Sequence, residues 1–349
     1  MQASRRRFLA NGSGLGLSLI FAGSARAQQQ PVSVTYGSNS PIYAHSAVAF
    51  EKGYFKDEGL DLKLVVTDAG SRARQVFAAG EAMFMHNDAS QPLALANRGK
   101  SCKMILGTQM VCSFANIIVR KELYDTGITS LEALGAWKRP DGAKPIIAAT
   151  AIGSGTWMYG THVLAKLKQD KNVNWVAGGG PKTMLGGLQT NQFDAIMASP
   201  GWVLQAEAEK FGRVVYDVRK PGLFFKDFGG PVPVCVVSAL DETLEKNPKL
   251  TQAYVNALLK AMSWMKIAPI DDIVGVVGKK YFDGADPAAL RADLSFDRDT
   301  WAFDGRINKE DFARGGPIWF RPETEIKPAS YESIVDMRYV EAGLKKIKA

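Results

Sequence analysis

From Gln28 onward, short apolar runs rich in β-branched residues alternate with longer segments in which apolar residues return every three or four positions. Residues 32–36, 60–66, 82–86, 103–108 and 116–119 predict strands, with helices at 42–52, 71–79 and 91–98 between the first four. After a turn-rich stretch ending in Lys138-Arg139-Pro140-Asp141-Gly142 the alternation restarts. Strands are expected at 146–150, 173–176, 193–198 and 213–217, separated by helices at 156–169, 182–190 and 200–210. One more strand, 232–238, precedes helices. There Leu250, Tyr254, Leu258, Met262 and Met265 lay one apolar stripe along a face. The pattern predicts a mostly parallel, doubly wound α/β fold in two lobes.

The two halves echo each other at an offset of 111 residues. Gly70, Ala73, Phe77 and Gly80-Glu81-Ala82 fall against Pro181, Met184, Leu188 and Asn191-Gln192-Phe193. In each half a helix is expected to end on a residue suited to a left-handed cap, Gly80 or Asn191, with a strand starting at once.

The N-terminus departs from this alternation. Ser4-Arg5-Arg6-Arg7-Phe8-Leu9, a short apolar run through residue 22, and Ala25-Arg26-Ala27 read as a twin-arginine export signal cleaved before Gln28. The apolar run falls well short of the ~20 residues that span a bilayer, so it reads as a targeting segment and the protein is expected in the periplasm. Without Arg5, Arg6, Arg7 and Arg26 the formal charge of +8 halves, which weakens a nucleic-acid role. Cys102, Cys112 and Cys235 lack metal-ligand spacing; Cys102 and Cys112 are candidates for a pair, with buried thiols as the alternative. His45, His86 and His162 form no H-x-x-x-H, so no metal is expected.

In open α/β sheets ligands bind beyond the carboxyl ends of strands, at helix N-termini. Four such loops here carry hydroxyls or amides: Gly37-Ser38-Asn39-Ser40-Pro41, Asn87-Asp88-Ala89-Ser90, Gly153-Ser154-Gly155-Thr156-Trp157 and Ser199-Pro200. Backbone N–H groups there suit an anion. Helix capping explains Ser40, Asp88, Thr156 and Ser199 equally well one at a time. Candidate ligand contacts are therefore Ser38, Ser40, His45, Asn87, Asp88, Ser154, Gly155, Thr156, Ser199 and Trp202. His45, one turn inside the first helix, is placed to donate a proton to an anionic oxygen. Trp157 and Trp202 would stack on a ligand or pack helices. Arg72 would lie on a solvated face or reach across to an acid. Asp88 repels an anion unless it caps Ser90 and Gln91 or meets an amino group. No catalytic motif is present: Pro181 interrupts Gly178-Gly179-Gly180-Pro181-Lys182-Thr183 as a phosphate loop, and Gly153-Ser154-Gly155 lacks a nucleophile elbow's outer glycines.

Pro41-Ile42-Tyr43-Ala44 through Gly53-Tyr54-Phe55-Lys56-Asp57-Glu58-Gly59-Leu60-Asp61, with Ala79-Gly80-Glu81-Ala82, Ile128-Thr129-Ser130-Leu131 and Phe193-Asp194-Ala195, resembles the nitrate/sulfonate/taurine type of periplasmic solute-binding protein. That branch also holds thiamine-precursor binding and synthesis proteins. The resemblance implies lobes at 28–121 with 222–349 and at 122–221, following the signal at 1–27. It places the ligand loops at Ser38–Ser40, Asn87–Asp88, Ser154–Thr156 and Ser199, with the return crossing near Phe228-Gly229-Gly230-Pro231. The chain departs from the family pattern at Met83 and in the insert at 136–143. The expected protein is a non-catalytic, monomeric receptor without cofactor. It would close like a hinge on a small organic acid or sulfonate and present it to a membrane ABC permease. A thiamine-pyrimidine-precursor binding or synthesis protein is the alternative.

Overall fold

The computed structural model describes residues 30–38, 40–281 and 286–348, and the export-signal reading falls outside them. Among the described residues, two five-stranded sheets form. Strands β1 (Gln30–Tyr36), β2 (Leu60–Val66), β3 (Phe84–Asp88), β4 (Cys102–Gln109) and β10 (Cys235–Leu240) build the first, in the order β2-β1-β3-β10-β4. Strands β5 (Asn116–Arg120), β6 (Ile146–Ala149), β7 (Asn174–Ala177), β8 (Ala195–Ala198) and β9 (Gly212–Tyr216) build the second, in the order β7-β6-β8-β5-β9. The helices that matter below are α1 (Ala44–Glu51), α2 (Gly70–Ala78), α3 (Ser90–Ala96), α4 (Gly155–Lys166), α5 (Pro181–Gln189), α6 (Pro200–Ala208), α7 (Leu223–Phe228), α8 (Pro248–Ile267), α9 (Pro287–Arg298) and α10 (Lys309–Trp319).

The two sheet orders are the same once β1, β2, β3, β10 and β4 are set against β6, β7, β8, β5 and β9, so the echo at offset 111 joins topologically equivalent units. Gly80 (φ 78°) and Asn191 (φ 62°) both adopt the left-handed conformation that ends α2 and α5.

Each sheet is mostly parallel, as the alternation predicts, with one antiparallel strand: β10 runs antiparallel to β3 and β4, and β5 antiparallel to β8 and β9. Each of these strands arrives from the other lobe rather than through a helical crossover, and only the crossover forces parallel pairing. For the same reason β5, expected in the first lobe, is hydrogen-bonded into the second sheet, so the first crossing is the stretch after Gln109.

The C-terminal segment also departs from its assignment to the first lobe alone. Helix α9 packs on α6, and α10 packs on α4, both in the second lobe. Arg321 Nη2 donates to Met158 O (3.0 Å) and Thr161 Oγ1 (2.7 Å), and His162 Nδ1 donates to Pro317 O (3.1 Å). Helix α8 buries the stripe read from the sequence; Tyr254 stacks between Phe84 (4.1 Å) and Phe55 (5.4 Å), locking this helix to β3. All three cysteines are free and buried, which settles Cys102 and Cys112 as thiols. No helix of the described residues is long and apolar enough to cross a membrane.

Candidate functional site

Strand ends of both sheets open onto one cavity of ≈ 600 Å³, counted with its mouth. The first lobe supplies Gly37, Ser38, Ser40, Tyr43, Gly70, Asn87 and Asp88; the second supplies Thr150, Ser154, Gly155, Thr156, Pro181, Ser199 and Trp202. Of the ten residues singled out in the sequence, nine line this space and His45 does not. A wider outer cleft continues from it past Pro181 and Trp202, flanked by Arg72 and Lys182. Arg72 is exposed and pairs with Asp68 at 3.1 Å, while Trp157 is packed in the core of the second lobe.

Close packing of backbone fixes the first-lobe wall. A side chain on Gly37 would meet Tyr43 Oη and Asn87 Oδ1 at 2.9–3.0 Å, and one on Gly70 would meet Asn87 Oδ1 at 2.7 Å. Both must be glycine for Asn87 to donate from Nδ2 to Gly70 O (2.9 Å) and accept from the Asp88 N–H (2.9 Å). Asp88 is 3% exposed; its Oδ1 accepts from the backbone N–H of Ser90 at 2.9 Å and from the Ser90 hydroxyl, while Oδ2 has no partner. Burial pushes this carboxyl up to about 6, although the Ser90 bonds pull it down. Register places Cys235 of β10 directly beside Asp88.

In the second lobe the Ser154 hydroxyl donates to Ala151 O (2.7 Å) and lies 2.9 Å from Thr156 Oγ1, which accepts from the Thr150 N–H (3.0 Å). These hydroxyls shape the loop. Neither Ser40 nor Ser199 caps its helix with its side chain, so capping alone does not account for them. Ser199 instead donates to Asp293 Oδ2 (3.1 Å), and the Gly201 N–H donates to Asp293 Oδ1 (2.5 Å). The N-terminus of α6 therefore already holds a carboxyl group supplied by α9. No local sequence signal joins residues this far apart. The lobes also meet at Gln91, whose Nε2 donates to Gly153 O (3.0 Å) while Oε1 accepts from the buried Arg74 (2.8 Å). Sequence reading missed Phe114, Thr150, Met197 and Cys235 on the cavity wall. Thr150 was within reach, since it follows the end of β6.

His45 lies in the core behind the cavity, its ring 5.0 Å from Trp301, with both ring nitrogens unpartnered. Burial lowers its pKa to about 3, so it stays neutral rather than offering a proton to an anion. Every residue of α1 from Ala44 to Ala49 is buried and the helix packs on α8, so His45 lies inside with its neighbours. His86 is fully buried too: Nε2 donates to Thr108 Oγ1 (2.8 Å), whose own proton goes to Cys235 O (3.0 Å), and Nδ1 accepts from Ser46 (3.1 Å).

These buried groups set a pH profile. Burial raises Asp293 to about 7 and, with Asp293 as a like-charged neighbour, Asp297 to about 8, against 3.8 for an ordinary aspartate. A raised carboxyl contributes stability that is complete below the unfolded pKa and is lost as pH rises through the folded one. Burial lowers His45 to about 3, His162 to about 4 and His86 well below its usual 6.5, so their contribution falls as pH drops below 6.5. Stability should peak near pH 6–7 and fall by on the order of 2 kcal/mol towards pH 8. Denaturant titrations at stepped pH check this. Asp293→Asn with Asp297→Asn should flatten the alkaline limb and steepen the acid limb, because the raised carboxyls oppose the histidines between pH 4 and 6.5.

A model of the NMT1-like family matches residues 25–272. The chain is 22% identical over 281 residues to the putative binding protein YtlA of Bacillus subtilis (strain 168), covering 79% of each. A solved protein from Bordetella bronchiseptica RB50 is similar in structure, with a TM-score of 0.77 at 25% identity over 92% of this chain and 99% of that one. So are the periplasmic nitrate-binding protein NrtA from Synechocystis PCC 6803 (TM-score 0.70, 13% identity, 92% and 90% coverage) and the periplasmic aliphatic sulphonate binding protein SsuA from Escherichia coli (TM-score 0.66, 14% identity, 87% and 97% coverage).

Proposed function

Because this chain belongs to the NMT1-like family, we propose that it is the extracytoplasmic solute-binding component of an ABC importer, capturing a small organic acid or sulfonate between its lobes. The observation that carries this reading is a cavity lined from the strand ends of both sheets, with Ser40 of the first lobe and Ser154 of the second both on its wall. Helices α2 and α4 direct their N-termini at it, which favours an acidic group there. Tyr43, Phe114, Met197 and Trp202 give an apolar body somewhere to rest. A solute touching both lobes stabilises the closed form, and a permease can then distinguish loaded from empty protein. Synthesis of a pyrimidine precursor on this fold would consume a lysine and a histidine of the chain, and neither residue type lines the cavity.

The test is thermal-shift screening of the mature chain against alkane and arene sulfonates, aromatic carboxylates, nitrate and pyrimidines, followed by calorimetry on the hits. Ser154→Ala combined with Thr156→Ala should weaken binding about tenfold while moving the melting temperature by only a few degrees. Unchanged affinity would remove that loop from the site. A panel without a single stabilising solute would defeat the receptor reading.

A further inference from the structure

The C-terminal segment runs along the hinge as a further connection between the lobes. Residues 300–305 hydrogen-bond beside the end of β4: Met110 N donates to Thr300 O (2.8 Å), Ala302 N to Thr108 O (3.0 Å) and Gly107 N to Gly305 O (2.9 Å). Just before them, α9 is wedged between α6 of the second lobe and two pieces of the first, the turn Pro41–Tyr43 and the helix Ile270–Tyr281. Asp293 and Asp297 are its two grips, one helical turn apart and 4% and 1% exposed. Asp293 takes the Ser199 hydroxyl and the Gly201 N–H at the α6 N-terminus. Asp297 Oδ1 takes Gln109 Nε2 (3.0 Å), which also reaches Thr300 Oγ1 (2.8 Å) and, on the first crossing, Ser113 Oγ (3.1 Å). Glycine at 201 lets α6 and α9 come this close, because a side chain there would collide with Ala289 O and meet Asp293 Oδ2 at 2.7 Å.

Among the described side chains no cation balances this pair. On α9 itself Arg291 is exposed and paired with Asp271, and Arg298 turns away to Met265 O and Ala268 O. The charged side chain of α6, Glu207, accepts from the Val214 N–H, and Asp271 and Asp272 of the helix Ile270–Tyr281 are exposed. The turn and the crossings contribute Tyr43, Cys112 and Cys235, which burial raises well above their ordinary values and so keeps neutral at pH 8.5. Asp88, beside Cys235, titrates earlier, at about 6. Ionising Asp293 and Asp297 together would therefore set two like charges ~6 Å apart in a dry seat without a counter-charge. Burial and this repulsion are what lift them to about 7 and about 8.

We propose that Asp293 and Asp297 are positioning residues that hold α9 across the hinge only while protonated, so that the second-lobe wall of the cavity is seated in mildly acidic and released in mildly alkaline solution. Protonated, Asp293 keeps the Gly201 N–H on one oxygen and donates from the other to Ser199 Oγ. When both protons leave to solvent, the two carboxylates have too few donors and α9 lifts from α6. Ser199 and Trp202 line the cavity, so the wall they form moves with this contact. The device acts whatever solute the cavity takes.

The experiment is amide hydrogen exchange on the mature protein without added solute at pH 6 and pH 8.5, with rates corrected for intrinsic exchange and α8 marking the level of global unfolding. Protection of α9 should lie about tenfold or more below that of α8 at both pH values, insensitive to low urea, and fall about tenfold to a hundredfold from pH 6 to pH 8.5. Asp293→Asn with Asp297→Asn, whose amides keep an acceptor oxygen and a permanent N–H donor, should abolish that fall. A fall below about threefold in the unaltered chain, α9 protection equal to that of α8, or a fall that persists in the double variant would each overturn the proposal. Should the double variant fold poorly, the comparison of α9 with α8 in the unaltered chain decides. None of these measurements uses a ligand, so the receptor reading is tested separately by its solute panel.

Discussion

Replacing Gly155 by valine should cost about a hundredfold or more in ligand affinity while leaving the protein folded. Gly155 opens α4 in the second lobe, and the atoms facing it belong to Asp88 at the end of β3 in the first. A Cβ alone would lie 2.9 Å from Asp88 Cβ and Cγ, closer than carbon atoms pack, so the lobes must part or the carboxylate must swing into the cavity. Either outcome removes the space between the lobes that a solute needs. The interlobe bond from Gln91 to Gly153 O, two residues away, would be strained by the same displacement. Stability should fall by only ~1–3 kcal/mol, because the first turn of a helix tolerates valine and the wedge acts at an edge of each lobe. Calorimetry with the best wild-type ligand, beside a denaturant titration, separates the two effects. Gly155→Ala should fall between. Wild-type affinity in the valine variant would mean that the solute binds elsewhere.

Asp194→Ala should remove about 3–5 kcal/mol of folding stability, the largest loss expected from one substitution in the second lobe. The Asp194 side chain is 1% exposed, and it collects the Arg120 Nε and Nη2 groups on Oδ1 (3.2 Å each) and Arg139 Nη1 (2.7 Å) and the Ile146 N–H (2.9 Å) on Oδ2. It thus ties β5, β6 and β8 together and fastens the insert at 136–143, which carries Arg139, to the sheet. Alanine would strand two partly buried guanidinium groups and a backbone donor without an acceptor. Asp194→Asn keeps one acceptor oxygen and should cost less than half as much. Urea denaturation of the three proteins gives the comparison. A loss below 1 kcal/mol for alanine would show that the arginines find other partners.

Secondary structure was legible because it depends on local periodicity. The runs at 60–66 and 103–108 became β2 and β4, and the stripe from Leu250 to Met265 became the buried face of α8. The cavity loops were legible as well, since a strand followed at once by a helix must turn at the sheet's ligand-binding end, and Ser40, Ser154 and Ser199 mark those turns. His45 was misjudged for the same reason in reverse. Sequence places it on a helix near the site, but that α1 is buried all round from Ala44 to Ala49 is decided by what packs around it.

By itself, the sequence determined the alternation of strands and helices, the repeated half and the left-handed helix ends at Gly80 and Asn191, because short-range sterics and solvation enforce these. Tertiary structure alone decided strand direction after each crossing, the seat of Asp293 at the N-terminus of α6, and the solitary charge of Asp88 on the cavity wall. Those features depend on groups far apart in the chain coming together, and whether a buried charge is compensated can be judged only once all its neighbours are in place.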